Sequence, residues 1–262
     1  MLYRHLVTAR VRAQLQYRAS FVVNLIGTTL ITATDFLVIA VLFGHLPALG
    51  GWTLPEVGFL YGVSGIGFAL ADTVVGHIEL TQDLIRTGQF DVVLLRPAGT
   101  LFQTVASDFA LRRIGKAVQA AVVLVIALAA LHVHWDAGRV LMTGAIAVSG
   151  GAIFAAVFVL GACVTFWFVG STEFSNAFTY GGQQMTTYPL TVFGPWLRRI
   201  LAYLIPLAFV AYLPGLYVLD KPDPLGLPSI LRYRSPLVAV ASLFVARAAW
   251  HFAVRHYRST GS

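Results

Sequence analysis

The sequence predicts an all-α integral membrane protein. Three observations predict that fold class: 58% of the residues are hydrophobic at a mean hydropathy of +0.77, the apolar residues gather into long runs, and the few charges, 11% of the chain, fall between those runs. Each run is close to the roughly 20 residues that carry a helix across the hydrocarbon core. The runs are apolar all round, whereas a helix on a soluble core keeps a polar face. The whole chain, residues 1–262, reads as one transmembrane domain.

Taken in order, residues 1–18 place Leu2, Leu6, Ala9, Ala13 and Tyr17 at steps of three or four, with Arg4, His5 and Arg12 off that stripe. This pattern predicts an amphipathic helix lying along the inner leaflet, held by its arginines on anionic lipid. Six spans follow at 20–43, 57–76, 117–133, 140–170, 197–218 and 236–254. The first is too long and starts too far in for a cleaved signal peptide, and it contains Asp35.

The stretch 77–116 is the one long polar segment, and its length implies structure and a task of its own. Two short helices are expected there. One ends at Gly88; the other runs from Phe90 to Leu95 and is blocked by Pro97. A further helical stripe of Leu101, Val105, Phe109 and Ile114 follows. Residues 171–195, rich in Gly, Thr, Gln and aromatics, read as an interfacial connector. The fifth run carries Pro206 and Pro214, which remove backbone donors and kink or break a helix, either by simple packing or to line a conducting path.

Basic residues mark cytoplasmic loops. Arg4, Arg10, Arg12 and Arg18 precede the first span; Arg86, Arg96, Arg112, Arg113 and Lys116 follow the second; Arg198, Arg199, Arg255 and Arg258 are assigned to the same side. The expected location is therefore the bacterial inner membrane, multi-pass, with both termini cytoplasmic. Lys221, Arg232 and Arg234 fall outside, in a loop 219–235 that either reflects a miscounted span or holds a short surface helix; the second reading is adopted. The net charge of +7 is spread among loops rather than on one face, which argues against nucleic acid as a partner.

A carboxylate at mid-membrane costs about 2.5 to 3.5 kcal/mol, so Asp35 and Asp72 need a reason. They either line a substrate path or pair for structure, with Asn24, Arg247 or another subunit. Arg247 is close enough to the end of the last span to snorkel. Cys163, the single cysteine, permits no internal disulfide and reads as a small buried residue. His132, His134 and Asp136 lack the spacing of a metal site, since alternate residues on a helix point apart. No Gly-x-Ser-x-Gly elbow or His-Glu-x-x-His helix occurs. A nucleotide P-loop needs Gly-Lys followed by Ser or Thr; here Lys116 precedes Ala117 and Lys221 precedes Pro222. The chain is thus expected to be no enzyme and to bind no cofactor, and any ATP-driven cycle needs a partner.

The segment Gly88-Gln89-Phe90-Asp91-Val92-Val93-Leu94-Leu95-Arg96-Pro97 resembles a Gly-x-Phe-Asp-x-x-Leu-Leu-Arg-Pro signature of ABC-2 type transporter permeases. Tyr188-Pro189-Leu190, Ile205-Pro206-Leu207-Ala208-Phe209 and Pro214 are similar to a second pattern of that family. The resemblance, of the ethyl viologen exporter type, implies a permease subunit of an ATP-binding cassette exporter, with a coupling helix in the first cytoplasmic loop. It also implies an ATPase subunit that holds ATP and Mg, and a second permease, identical or different. In that reading Phe90, Leu94 and Leu95 enter an apolar groove on the ATPase while Asp91 and Arg96 set the register by charge. The alternative is an ion-gradient-driven secondary transporter or channel using Asp35 and Asp72.

Overall fold

A computed structural model describes residues 37–106, 114–168 and 172–258, together with Val23, Ile26, Gly27 and Thr34. The expected interfacial helix 1–18 lies outside the described residues, as does Asp35; the first run is described continuously only from residue 37, and is helical to residue 45. The α-helices that follow are α1 (Leu54–Val75), α2 (Thr81–Arg86), α3 (Phe90–Leu95), α4 (Thr100–Val105), α5 (Ile114–Ala130), α6 (Ala137–Val164), α7 (Thr172–Thr186), α8 (Pro195–Arg199), α9 (Tyr212–Val218) and α10 (Ser235–Arg255). No strand occurs among the described residues beyond an isolated bridge between Leu49 and Trp52.

Helix α1 starts at a capping box: the Thr53 backbone N–H donates to Glu56 Oε2 at 2.7 Å, and Pro55 sits in the first turn. It runs 22 residues, about 33 Å at 1.5 Å per residue. Its neighbours approach so closely that only small residues fit. A Cβ on Gly62 would stand 2.6 Å from the Leu124 Cβ of α5, and one on Gly67 would stand 3.0 Å from the Gly151 nitrogen of α6. Small residues at such crossings let backbones meet in a membrane, where no hydrophobic drive brings helices together. Helix α6 begins under Asp136, whose carboxylate accepts the Arg139 N–H at 2.8 Å. Helix α10 packs on α6 and leaves Leu237, Val240, Phe244 and Val245 exposed, a face suited to lipid.

Three described helical stretches are long and apolar enough to cross a membrane: Leu54–Arg86, Ala137–Val164 and Ser235–Arg255. The apolar helix Gly115–Ala130 is shorter. Pro195–Leu204 and Leu207–Val218 qualify only as a pair, bent by 77°.

That pair corrects the sequence expectation for 197–218. At its start, Arg198 Nη2 donates to the Thr191 carbonyl at 2.6 Å, and Thr191 Oγ1 donates to the Gly50 carbonyl at 2.9 Å. Just beyond its end, Lys221 Nζ donates to the Gly51 carbonyl at 3.0 Å and pairs with Glu56 at 2.8 Å. Both arms therefore start and finish at the end of the molecule that holds residues 44–56, and the bend reaches Val210 beside Gly150, halfway along α6. The segment enters and returns. Arg198 and Arg199 accordingly lie at the opposite end from Arg86 and Arg96, not on the same side as the charge count implied.

The chain changes ends earlier, through α7. Ser175 Oγ donates to the Gly161 carbonyl near the end of α6, Thr186 Oγ1 is hydrogen-bonded to Ser64 Oγ partway along α1, and the following residues reach Gly50. The sequence reads 171–195 as a connector; in the structure this stretch runs from one end of the bundle to the other. Hydropathy did not reveal it because α7 is polar, and its hydroxyls are satisfied within protein: Thr179 donates to Ser175 and Ser175 to α6. Residues 219–235 hold a short 3₁₀ helix, Ser229–Tyr233, at the same end as Lys221.

Candidate functional site

The segment after α1 folds back beneath the bundle. A 3₁₀ turn, Gly76–Leu80, leads into α2, which stops at Gly88 with φ +69°, a conformation that glycine adopts at no steric cost. Helix α3 then lasts six residues. Arg96 is extended (φ −81°, ψ 142°), as the residue before a proline must be, and Gln103 Nε2 donates to the Val93 and Ala98 carbonyls at 3.1 and 2.6 Å, tying the helix end to α4.

Phe90 is fully buried at 0% exposure. Its ring meets Phe166 edge-on at 5.2 Å and Tyr257 at 5.0 Å, and Phe166 meets Trp250 at 5.5 Å. The Trp250 indole donates to Thr100 Oγ1 at 3.0 Å. This corrects the expectation that Phe90 enters a partner: it roots α3 onto the ends of α6 and α10. The outward residues are Val92, Leu94 and Leu95, the last 85% exposed, followed by exposed Arg96 and Pro97; Asp91 is half-buried. The helix thus presents an exposed aliphatic row beside an arginine on an immobilised base.

Asp72 is 1% exposed, and Lys116 Nζ from the first turn of α5 lies 3.8 Å from its Oδ2. The same ammonium stands 5.9 Å from the Phe68 ring centroid and 6.0 Å from that of Tyr180, whose hydroxyl donates to Glu79 at 3.4 Å. Asp72 is thus paired, with a cation that the sequence places among the loop charges; the 43 residues between them hide the contact. Only the carboxylate side of this pair is fully buried, with Lys116 31% exposed. Lys116→Met is therefore expected to destabilise the chain by about 1 to 3 kcal/mol, less than a fully buried pair would lose, and K116M with D72N to recover part of it, both read as unfolding midpoints in detergent.

Helix α7 has two faces. Ser175, Thr179, Gly182 and Thr186 are buried, while Glu173, Ala177, Phe178 and Gln184 are exposed. Glu173 and Gln184 therefore stand open on this helix beside two apolar residues, Ala177 and Phe178.

Pro206 sits at the 77° break, just after the π-helical turn Ile200–Leu204. Pro214 falls in the first turn of α9, where its missing N–H costs nothing, so it bends no helix. Arg247 is exposed on α10, and Cys163 is buried. No group of three His, Cys, Asp or Glu residues among those described is placed to hold a metal.

Residues 29–261 match the model of a protein family described as ABC-2 family transporter protein. No curated protein and no solved structure matches the chain.

Proposed function

Since the chain belongs to the ABC-2 transporter family, we propose that it is the transmembrane permease subunit of an ATP-binding cassette exporter of the ethyl viologen exporter-like kind, forming the substrate pathway and coupling to a separate ATPase. It sits in the bacterial inner membrane with both termini cytoplasmic. The crossings are 20–43, α1, α5, α6, residues 172–191 and α10, six in all, with 195–218 entering from outside and returning. Two permeases, identical or different, and two ATPases form the working unit; ATP and Mg reside on the ATPases, and lipid surrounds the apolar faces.

The observation that carries this reading is the disposition of α3, rooted by Phe90 and presenting Leu94, Leu95 and Arg96 away from the bundle. Gly88 sets its start, Arg96 and Pro97 its stop, and Asp91 adds charge at its edge. Closure of the ATPases on ATP moves α3. The aromatic contacts carry that motion into α6 and α10, while the chain itself carries it into α1 and α5, so inward and outward openings exchange. The exposed side of α7, with Glu173 and Gln184, lines the pathway, flanked at the inner end by Asp72 with Lys116 and near the middle of the bundle by the Pro206 bend. Purification in mild detergent from the native host tests the assignment. An ATP-binding cassette ATPase should remain bound in a fixed ratio to this chain, and an active preparation free of any ATPase would contradict it.

A further inference from the structure

A cavity of about 220 Å³ opens between the entering arm of the re-entrant segment and the loop after Lys221. Its walls are Leu190, Ala202, Leu225 and Leu227, and its charges are Arg198 and Arg199. The Arg198 guanidinium is fixed by the Thr191 carbonyl at 2.6 Å, yet its Nε is buried without a hydrogen-bond partner among the described residues. Arg199 is exposed and has no ion pair among the described residues. A buried orphan donor calls for an acceptor, and the described residues supply none. The nearby carboxylate, Asp223, is already occupied: it accepts from the Tyr212 hydroxyl at 3.1 Å and from the Leu225 and Leu227 N–H groups at 3.0 and 2.9 Å, which fixes the loop wall.

The surroundings are those of a membrane–water boundary. Trp196 and Tyr203, both on the entering arm, are each 68% exposed, and aromatic rings of this kind settle at headgroup level. Two guanidiniums above aliphatic walls match a phosphate above methylenes.

We propose that this cavity binds an anionic phospholipid of the bilayer, its phosphate on Arg198 and Arg199 and its first methylenes against Leu190, Ala202, Leu225 and Leu227. The lipid would brace the arm that carries the π-helical turn Ile200–Leu204, an element of the kind frequent at functional sites. A soluble phosphate would satisfy the arginines and leave the aliphatic walls bare.

The test uses the full chain in maltoside micelles doped with phosphatidylglycerol or with phosphatidylcholine of the same acyl chains, reading bound lipid by native mass spectrometry and the thermal midpoint. Phosphatidylglycerol should be retained and should raise the midpoint, and phosphatidylcholine should do neither. Arg199→Gln should weaken retention about fivefold, which is the effect of losing one arginine near an anionic headgroup. Ala202→Asp, which puts a carboxylate in the wall, should abolish it. Because Arg199 is exposed, R199Q leaves the fold intact and keeps the result interpretable. Equal retention of both lipids, or wild-type retention by R199Q and A202D, would overturn the proposal. Displacement of phosphatidylglycerol by equimolar glycerol phosphate would overturn it too, by showing a site for soluble anions.

Discussion

Phe90→Ala is expected to abolish most transport while leaving the ATPase bound. The ring is fully buried between Phe166 and Tyr257, so its loss opens a cavity that costs about 3 to 5 kcal/mol and removes edge-on contacts worth about 0.5 to 1.5 kcal/mol each. Helix α3 then loses its attachment to α6 and α10, and a stroke delivered to it is no longer passed on. Transport in vesicles should fall at least about tenfold, a barrier change of about 1.4 kcal/mol, with ATP hydrolysis losing its stimulation by substrate. Phe90→Leu, which keeps much of the volume, should retain an intermediate rate. Loss of the ATPase from F90A during purification would show instead that Phe90 lies in the partner interface.

Leu95→Asp should do the reverse. Leu95 is 85% exposed, so the chain's own thermal midpoint should move little, as for most surface substitutions. Central aliphatic or aromatic anchors of an interface are commonly worth 2 kcal/mol or more, so binding of the ATPase should weaken by about 30-fold. Titration of purified ATPase onto the chain in nanodiscs reads that change directly. Unaltered affinity in L95D would remove α3 from the interface.

The contrast between these two residues shows where sequence reasoning stops. Both lie in one apolar run ahead of Pro97, and nothing in the run distinguishes a root from a tip; burial of Phe90 depends on Phe166 and Tyr257, far along the chain. Local chemistry was legible. The stop at Gly88 follows from its left-handed backbone, the end of α3 from Pro97, and the break near residue 205 from Pro206. Uniformly apolar stretches such as 57–76 and 236–254 lie almost wholly within helices, because a side chain facing lipid must be apolar whatever its neighbours are.

Polarity misled where protein replaced lipid. Helix α7 is too polar to be read as a crossing, yet its Ser and Thr hydroxyls are satisfied by α1, α6 and its own backbone. Counting 197–218 as the crossing instead places Arg198 and Arg199 at the end of Arg86 and Arg96, whereas their contacts lie at the end that holds residues 44–56. Asp72 raised a question that only distant Lys116 answered, since a pair with 43 residues between its members leaves no periodic trace.

The central claim is that this chain is a passive gate whose inner segment receives work from a separate ATPase. Reconstitution into liposomes with and without that ATPase tests it most directly, with efflux of cargo followed on addition of ATP. Movement that requires both the ATPase and ATP, and that ignores imposed proton or sodium gradients, is the predicted result. Movement driven by such a gradient through the chain alone would contradict it.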